Sequence, residues 1–338
     1  MLLSLCLVWL VYESGASQEV KTAKSGKWEL SGRVQVQHLY NTSVSGDSTF
    51  TNQGFRIRRG RLKIKAKISK WITGKLQMEV RDNSPRLKDA EAKLKLSKRV
   101  YFRFGQFKVP VWREELRSSG KLLLVERGPA AAFLAHNLLA ARHIGAEFGA
   151  ELGEQVSIIV NWSNGAGEGG REDAGRSKSG QINNGKMLAT RINVAVSRQV
   201  EVGLSAAANR LGNTIAASGL DNRGTHWVIA PDFGIYLPSG VIVEGGLALG
   251  TLDKKPQGSA EDRRFLLFDI AGSFRQKLAA PRESLAGMDA VEFALGFSFV
   301  EPNRDLSDDE SLVVRFGPAV YFGRQARLQV NGEIISPT

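Results

Sequence analysis

Alternation of apolar and polar residues dominates the chain beyond residue 26 and limits what it can fold into. Between Leu62 and Ile68, every second residue is apolar and each residue between them is a lysine. A helix would scatter this pattern around its surface, whereas a β-strand places the apolar and polar side chains on opposite faces. The same period predicts fifteen strands, centred on residues 28–41, 55–68, 72–81, 87–96, 100–109, 142–152, 156–163, 186–197, 200–210, 225–237, 240–250, 264–275, 289–300, 311–322 and 326–335.

The connections between these strands alternate between short turns and long loops. Only the connection at 276–288 is long where a short one is due. Tilted strands of about ten residues match a hydrocarbon layer about 30 Å thick, and a sheet in lipid must close because an open edge leaves backbone groups unsatisfied. Short turns at one rim and long loops at the other are typical of an outer-membrane barrel. We therefore predict an all-β fold, a transmembrane antiparallel β-barrel. A soluble β-sandwich or β-solenoid with one wet face is the alternative.

The strand count and the two chain ends lead to further expectations. A closed bacterial barrel with both termini in the periplasm needs an even number of strands, so about 16 are expected. With fifteen found up to residue 335, we expect that the last strand is missing from the end of the chain. At the other end, the apolar run from Met1 to Tyr12 precedes small residues at 15–17. This predicts a signal peptide over residues 1–17, with a buried N-terminal helix as the alternative. Residues 18–338 would then form a single barrel domain.

Positive charge is concentrated in one quarter of the chain. The formal net charge is +12, and residues 54–127 hold 22 Lys and Arg against 7 Asp and Glu. The remainder holds 24 basic and 27 acidic residues. Such a field indicates an anionic partner, which could be nucleic acid, anionic lipid or a small anion. A nucleic-acid binder is disfavoured because the basic residues lack interleaved aromatic residues for base stacking.

The basic residues of the second predicted strand change face near Gly60. Arg56 and Arg58 share one face, whereas from Arg61 onward the basic residues occupy the other set of positions. A bulge at Gly60 would keep all of them inside the barrel, and a charge facing lipid would cost about 2–4 kcal/mol at mid-depth. Rings of Lys and Arg select anions, so the predicted anion pathway comprises Arg56, Arg58, Arg59, Arg61, Lys63, Lys65, Lys67, Lys75, Arg103 and Lys108. In the alternative interpretation these residues are balanced by acidic ones and line a general pore.

No motif for catalysis or for a cofactor accompanies these strands. The only cysteine, Cys6, lies in the predicted signal peptide, and the four histidines are dispersed. Residues 165–170 match the spacing of a phosphate-binding glycine loop, but no predicted helix follows them. We therefore expect neither an enzyme nor a bound metal or cofactor.

Several motifs resemble one known family. Residues 55–65 (FRIRRGRLKIK) are similar to the signature strand of the phosphate-selective porin O and P family, and residues 104–110 (FGQFKVP) resemble its GQFK-x-P motif. The resemblance extends over about residues 27–335 and is most specific at 55–127. It implies a sixteen-stranded homotrimeric barrel in the bacterial outer membrane that passes anions such as phosphate.

The same resemblance implies that the long loop at about 110–141 folds inward and narrows the channel. A short helix packed at the rim is the alternative for this loop. We expect four of its basic residues near the constriction: Arg113, Arg117, Lys121 and Arg127.

Together these observations predict an outer-membrane porin for passive diffusion of small anions, with phosphate as one candidate, through a lumen lined by Lys and Arg. Its partners would be small phosphate-like anions, the lipid bilayer of the outer membrane and, in a homotrimer, two further copies of the chain. The alternative is a non-conducting or truncated outer-membrane barrel with a structural or surface role.

Overall fold

The computed structural model describes residues 2–13, 18–21, 27–45, 48–81, 84–170, 185–212, 214–215 and 220–337. The strands are β1 (Leu2–Glu13), β2 (Gln18–Lys21), β3 (Lys27–Ser45), β4 (Ser48–Lys67), β5 (Ile72–Glu79), β6 (Arg86–Lys95), β7 (Val100–Lys108), β8 (Arg142–Leu152), β9 (Val156–Ser163), β10 (Met187–Ala195), β11 (Val200–Leu211), β12 (Thr214–Ile215), β13 (Leu220–Asp221), β14 (Gly224–Tyr236), β15 (Val241–Leu252), β16 (Arg263–Arg282), β17 (Met288–Glu301), β18 (Ser311–Phe322) and β19 (Ala326–Pro337). The helices are α1 (Arg113–Leu116), α2 (Pro129–His136), α3 (Lys254–Gln257) and a 3₁₀ turn at Glu283–Leu285.

The main sheet closes into an antiparallel ring. Each strand from β3 to β19 pairs with its neighbours along the chain, apart from the small separate hairpin of β12 and β13. β1 pairs with β3 on one side and with β19 on the other. The sheet has 17 strands among the described residues, and β1 and β2 share the edge of β3, so the ring is sixteen strands around.

All fifteen strands expected from the alternation are present, which confirms the predicted all-β barrel. The irregular connection at 276–288 is explained because β16 continues to Arg282 and leaves a short turn. The sixteenth position in the ring is occupied by Leu2–Glu13 at the start of the chain, whereas we expected the remaining strand at its end. The signal peptide over 1–17 stays a prediction, and its residues 14–17 lie outside the described part of the chain.

The barrel carries apolar side chains on its outside, and several are large and exposed. Phe55 on β4 is 74% exposed. Trp162 and Trp227 are exposed near the rim with the long loops, and Trp28 and Trp71 near the rim with the short turns. Two belts of aromatic residues are typical of the membrane interfaces of such barrels. None of the helices in the described segments is long and apolar enough to cross a membrane.

The connection between β7 and β8, residues 109–141, lies inside the barrel and is named here the inner loop. Its helix α2 buries Ala130, Ala131 and Leu134 in an apolar cluster with inner-face residues of β10, β11 and β14–β17. Phe133 stacks at a tilt on Phe265 of β16, with ring centroids 5.1 Å apart. Burial of these apolar side chains in a polar lumen holds the inner loop against the far wall.

Candidate ion pathway in the barrel lumen

The basic residues of β4 form a column along the inner face of the barrel. In the pairing of β3 with β4, Gln37 lies opposite Arg56, Gln35 opposite Arg59, and Arg33 opposite Arg61. Directly opposed residues in antiparallel strands share a face, and Gln35 and Gln37 are buried inside. The column continues through Lys63, Lys65 and Lys67 towards the short turns. At about 3.3 Å per residue it extends about 36 Å.

The bulge that aligns the column lies at Arg58, so the predicted position at Gly60 was wrong. The register shifts between the pairs Gln35–Arg59 and Val36–Ile57, which leaves Arg58 without a partner in the ladder. Gly60 remains in register and approaches the carbonyl of Val80 on the adjoining chain segment. The extra residue restores the inward phase and keeps Arg58 inside, as its side-chain contact with the inner loop shows.

Glu126 of the inner loop neutralises the part of this column that lies farther from the short turns. Arg58 Nη2 donates to its Oε2 at 2.7 Å and Arg59 Nη2 at 3.0 Å. Burial opposes ionisation of Glu126, but the hydrogen bond from Arg58 and the charge of Arg59 outweigh it and hold the pKa of Glu126 below its ordinary value. Arg56 is exposed and donates to Gln37 Oε1 at 2.8 Å. This acceptor is an uncharged amide.

Below the inner loop, on the side of the short turns, the lumen contains a cavity of about 820 Å³. Leu116, Ser118 and Ser119 line the end of the cavity that adjoins the inner loop. Two of its side chains are carboxylates, Glu29 and Asp89. Nine are cationic: Arg33, Arg61, Lys63, Lys65, Lys75, Arg103, Lys108, Arg142 and Arg324. The cavity walls therefore carry a formal charge of +7.

Six of the predicted pathway residues line this cavity, and several of them are paired. Lys75 lies 3.2 Å from Asp89 and 2.9 Å from Glu91, and Arg103 Nη2 lies 2.7 Å from Glu147. Lys108 donates to the carbonyl of Arg117 at 3.0 Å. Lys65 lies 3.6 Å from Glu29, and both side chains are about half exposed. On the β3–β4 wall, Arg61 is also paired, with Glu79 at 2.8 Å.

Two of the four residues expected at the constriction, Arg113 and Arg117, anchor the inner loop to the opposite wall. Arg113 Nε donates to Asp232 Oδ1 of β14 at 2.8 Å, and its Nη1 lies 2.7 Å from Glu201 of β11. Burial opposes the charged form of Arg113, but these carboxylates raise its pKa above the ordinary value. Asp232 also accepts from Arg191 Nη2 at 2.8 Å. The loop is thus fixed by a buried carboxylate shared between two guanidinium groups.

The other basic residues of the inner loop differ in their contacts. Arg117 forms an ion pair with Glu244 of β15. Arg127 pairs with Glu115 inside the loop at 2.9 Å and donates to the carbonyl of Arg117 at 2.8 Å. Lys121 is exposed and forms no ion pair with a described side chain. The inner loop also contacts the β3–β4 wall, where Arg61 Nη1 donates to Ser119 Oγ at 2.7 Å.

A second buried cluster joins the inner loop to β16 and β18. Arg315 Nη2 donates to Asp269 Oδ1 at 3.1 Å, and Arg315 Nη1 lies 3.9 Å from Glu114 Oε1. The backbone N–H of Gly128 donates to Glu114 at 2.8 Å. Burial and the neighbouring charge of Asp269 outweigh these contacts and raise the pKa of Glu114 to about 7.

Sequence reasoning missed several residues that define this lumen. Arg33, Arg142 and Arg324 line the cavity, although the alternation places Arg33 on the polar face of its strand and could have identified it. The partner acids of the inner loop, such as Asp232 and Glu244, lie 119 and 127 residues away along the chain from Arg113 and Arg117. No local pattern indicates which arginine each of them meets.

A closed antiparallel barrel with an apolar exterior, a charged lumen and an inward-folded loop defines a class of protein, the porins. The family model of the phosphate-selective porin O and P family matches residues 29–241 of this chain. The chain belongs to this family. It is therefore a channel for small solutes in the bacterial outer membrane. No curated protein sequence matches it significantly.

Solved structures share this fold at low sequence identity. An in-vitro folded OmpT in trimer form, an outer membrane protein of Vibrio cholerae, is similar with a TM-score of 0.57 and 10% identity, over 92% of this chain and 100% of that chain. OmpF of Salmonella typhi in complex with daunomycin is similar with a TM-score of 0.53 and 10% identity, over 99% of this chain and 97% of that chain. At such identities the likeness concerns the fold alone.

Proposed function

We propose that this porin passes small anions in preference to cations, along the basic column of β4 and through the cavity below the inner loop. The observation that carries the proposal is the composition of that cavity, with nine cationic and two anionic side chains. Fixed cations in a narrow aqueous path concentrate anions and exclude cations. Four of the nine cations lie along the wall formed by β3 and β4. They provide several successive sites of moderate strength, which conduction requires.

Phosphate-like anions fit this path through the guanidinium groups. Arg33 and Arg61 face the cavity next to the hydroxyls of Ser118 and Ser119. A guanidinium donates in a fork that matches two oxygens of an oxyanion, which a lysine cannot do. An entering phosphate would replace the serine oxygens as the acceptor for these donors. Millimolar phosphate should therefore reduce the chloride current. Sulfate should reduce this current less, because phosphate keeps a protonated oxygen that donates to a carboxylate or carbonyl and sulfate does not.

Reversal potentials in a salt gradient across a planar bilayer test the preference for anions. Replacing Lys63 and Lys65 with Glu subtracts four charges and lowers the cavity from +7 to +3. At 0.1 M salt, where charges interact over about 10 Å, we expect the chloride-to-potassium permeability ratio to fall by roughly threefold or more. The matched control replaces Lys254 and Lys255 with Glu on an exposed loop outside the lumen. An equal effect of the two double variants would contradict the proposal.

One observation favours the second candidate, a non-conducting barrel with a structural role. The inner loop contacts both the basic wall, through Arg33 and Arg61, and the opposite wall, through Asp232 and Glu244. A loop that spans the lumen in this way could seal it. Complete absence of current from a correctly folded protein in the bilayer would favour this second role over the anion pathway.

We also propose that the chain assembles as a homotrimer. The OmpT structure of similar fold was obtained in a trimer form, and family resemblance points the same way. Light scattering of the detergent-solubilised protein, corrected for bound detergent, should give three times the chain mass of 36.9 kDa. A single chain mass would contradict this proposal and leave the channel proposal untouched.

A further inference from the structure

Two neighbouring short turns share one design at the rim opposite the long loops. The first turn is residues 68–71 between β4 and β5, and the second is residues 96–99 between β6 and β7. β5 pairs directly with β6, so the tips are about 10 Å apart at two strand spacings. The backbone N–H of Lys95 also donates to the carbonyl of Trp71 at 2.8 Å and joins the two turns.

The same serine contact fixes the backbone of both turns. Ser69 Oγ accepts hydrogen bonds from the N–H groups of Trp71 and Ile72 at 3.1 and 3.0 Å. Ser97 Oγ accepts from Arg99 and Val100, both at 3.1 Å. A hydroxyl that satisfies two backbone donors stabilises a tight turn. Both turns therefore present their tip residues in a fixed arrangement.

Three cations occupy these tips. Lys70, Lys98 and Arg99 are all exposed, and none of them pairs with a carboxylate of the described chain. Neither turn contains Asp or Glu. Lys70 Nζ lies 5.0 Å from the centre of the Trp71 ring, which keeps this charge over an aromatic surface. These three residues are named here the rim cations, and they lie outside the proposed ion pathway.

Exposed apolar side chains lie immediately beside the rim cations. Ile68, Trp71 and Leu96 are 55%, 42% and 53% exposed. A tryptophan next to lysines at the end of a membrane strand is typical of the headgroup level of a bilayer. A soluble anion would gain nothing from these apolar groups, whereas a phospholipid would contact them with its glycerol and acyl regions while its phosphate meets the cations.

We propose that the rim cations bind the phosphates of anionic phospholipids in the periplasmic leaflet of the outer membrane. Short turns face the periplasm in barrels of this kind, so this rim meets phospholipid headgroups. Each cation near an anionic lipid surface favours binding by roughly fivefold. The three rim cations together hold one or two anionic lipids next to the barrel in preference to zwitterionic ones.

Electron spin resonance with spin-labelled lipids tests this proposal in the reconstituted full-length porin. The fraction of motionally restricted label is compared for phosphatidylglycerol and phosphatidylcholine probes. We expect a several-fold preference of the wild-type protein for phosphatidylglycerol. In the triple variant Lys70→Gln, Lys98→Gln, Arg99→Gln, the ratio of restricted phosphatidylglycerol to restricted phosphatidylcholine should be close to one. The control removes three cations at the other rim: Lys254→Gln, Lys255→Gln and Arg264→Gln.

Further arms separate lipid from other anionic partners. Excess inorganic phosphate at constant ionic strength should leave the lipid preference unchanged, and displacement of the label by phosphate would identify a site for free anion instead. Equal preference in the wild type and the triple variant would also overturn the proposal. The triple variant should retain its conductance, so failure of lipid binding is distinguishable from failure of the channel function.

Discussion

The anchor between Arg113 and Asp232 yields a prediction whose size follows from the structure. The Asp232 side chain is 1% exposed, and it accepts from Arg113 at 2.8 Å and from Arg191 at 2.5 and 2.8 Å. The substitution Asp232→Asn keeps the shape but removes the charge shared by these two guanidinium groups. Arg113 keeps its contact with the more exposed Glu201 at 2.7 Å, so the inner loop is weakened rather than released.

Loss of one partner from a buried ion pair costs about 3–5 kcal/mol. Because Glu201 remains a partner of Arg113, we expect a smaller loss. The free energy that holds this part of the inner loop to the wall should fall by about 2–4 kcal/mol. At about 1.4 kcal/mol per factor of ten, the detached population rises roughly 30- to 800-fold. A detached inner loop widens the lumen, so excursions to a higher conductance should become frequent.

Single-channel recording measures this effect through open-channel noise and the histogram of current levels. The matched control is Asp305→Asn, which removes the carboxylate of another Arg–Asp pair, with Arg264, on an exposed loop. Exposed ion pairs contribute little, so the control should record like the wild type. Current histograms that are the same for Asp232→Asn and the wild type, in a barrel of unchanged β content, would refute the anchoring role of Asp232.

Three further substitutions test other parts of the structure. Glu114→Gln should flatten the pH dependence of the thermal midpoint. The wild type should lose stability as the pH rises from about 4.5 through about 7, because the pKa of Glu114 is raised in the fold and the buried group must then ionise; equal slopes would argue against this. Gly105→Ala should abolish recovery of heat-modifiable barrel, since φ is 117° and a Cβ would lie 2.0 Å from the carbonyl oxygen of Ala90, whereas Gly153→Ala, with open space around it, should fold. Glu126→Gln should raise the permeability ratio of chloride to potassium, because it removes the acid that neutralises the part of the β4 column farther from the short turns, and a fall in that ratio would count against the anion pathway.

Local patterns in the sequence were sufficient to predict the strands and the face each one presents. The alternation located all fifteen predicted strands, because a strand with one lipid face and one water face must change polarity at every residue. It also placed the cations of β4 inside. It failed at the bulge, where the arginines at 58 and 59 are adjacent and either could be the extra residue. Side-chain contact with Glu126, which lies 68 residues away from Arg58, accompanies the observed choice.

The sequence by itself determined a β-barrel, its strand positions and a lumen with excess positive charge, since each of these depends on residues close together along the chain. The tertiary structure decided which cations are neutralised. Nothing near Arg113 and Arg117 in the sequence indicates that they meet Asp232 and Glu244, 119 and 127 residues further on. Such pairs form only when the inner loop crosses the barrel, because its apolar helix packs against the far wall. The balance of charge in the lumen is therefore a property of the closed fold.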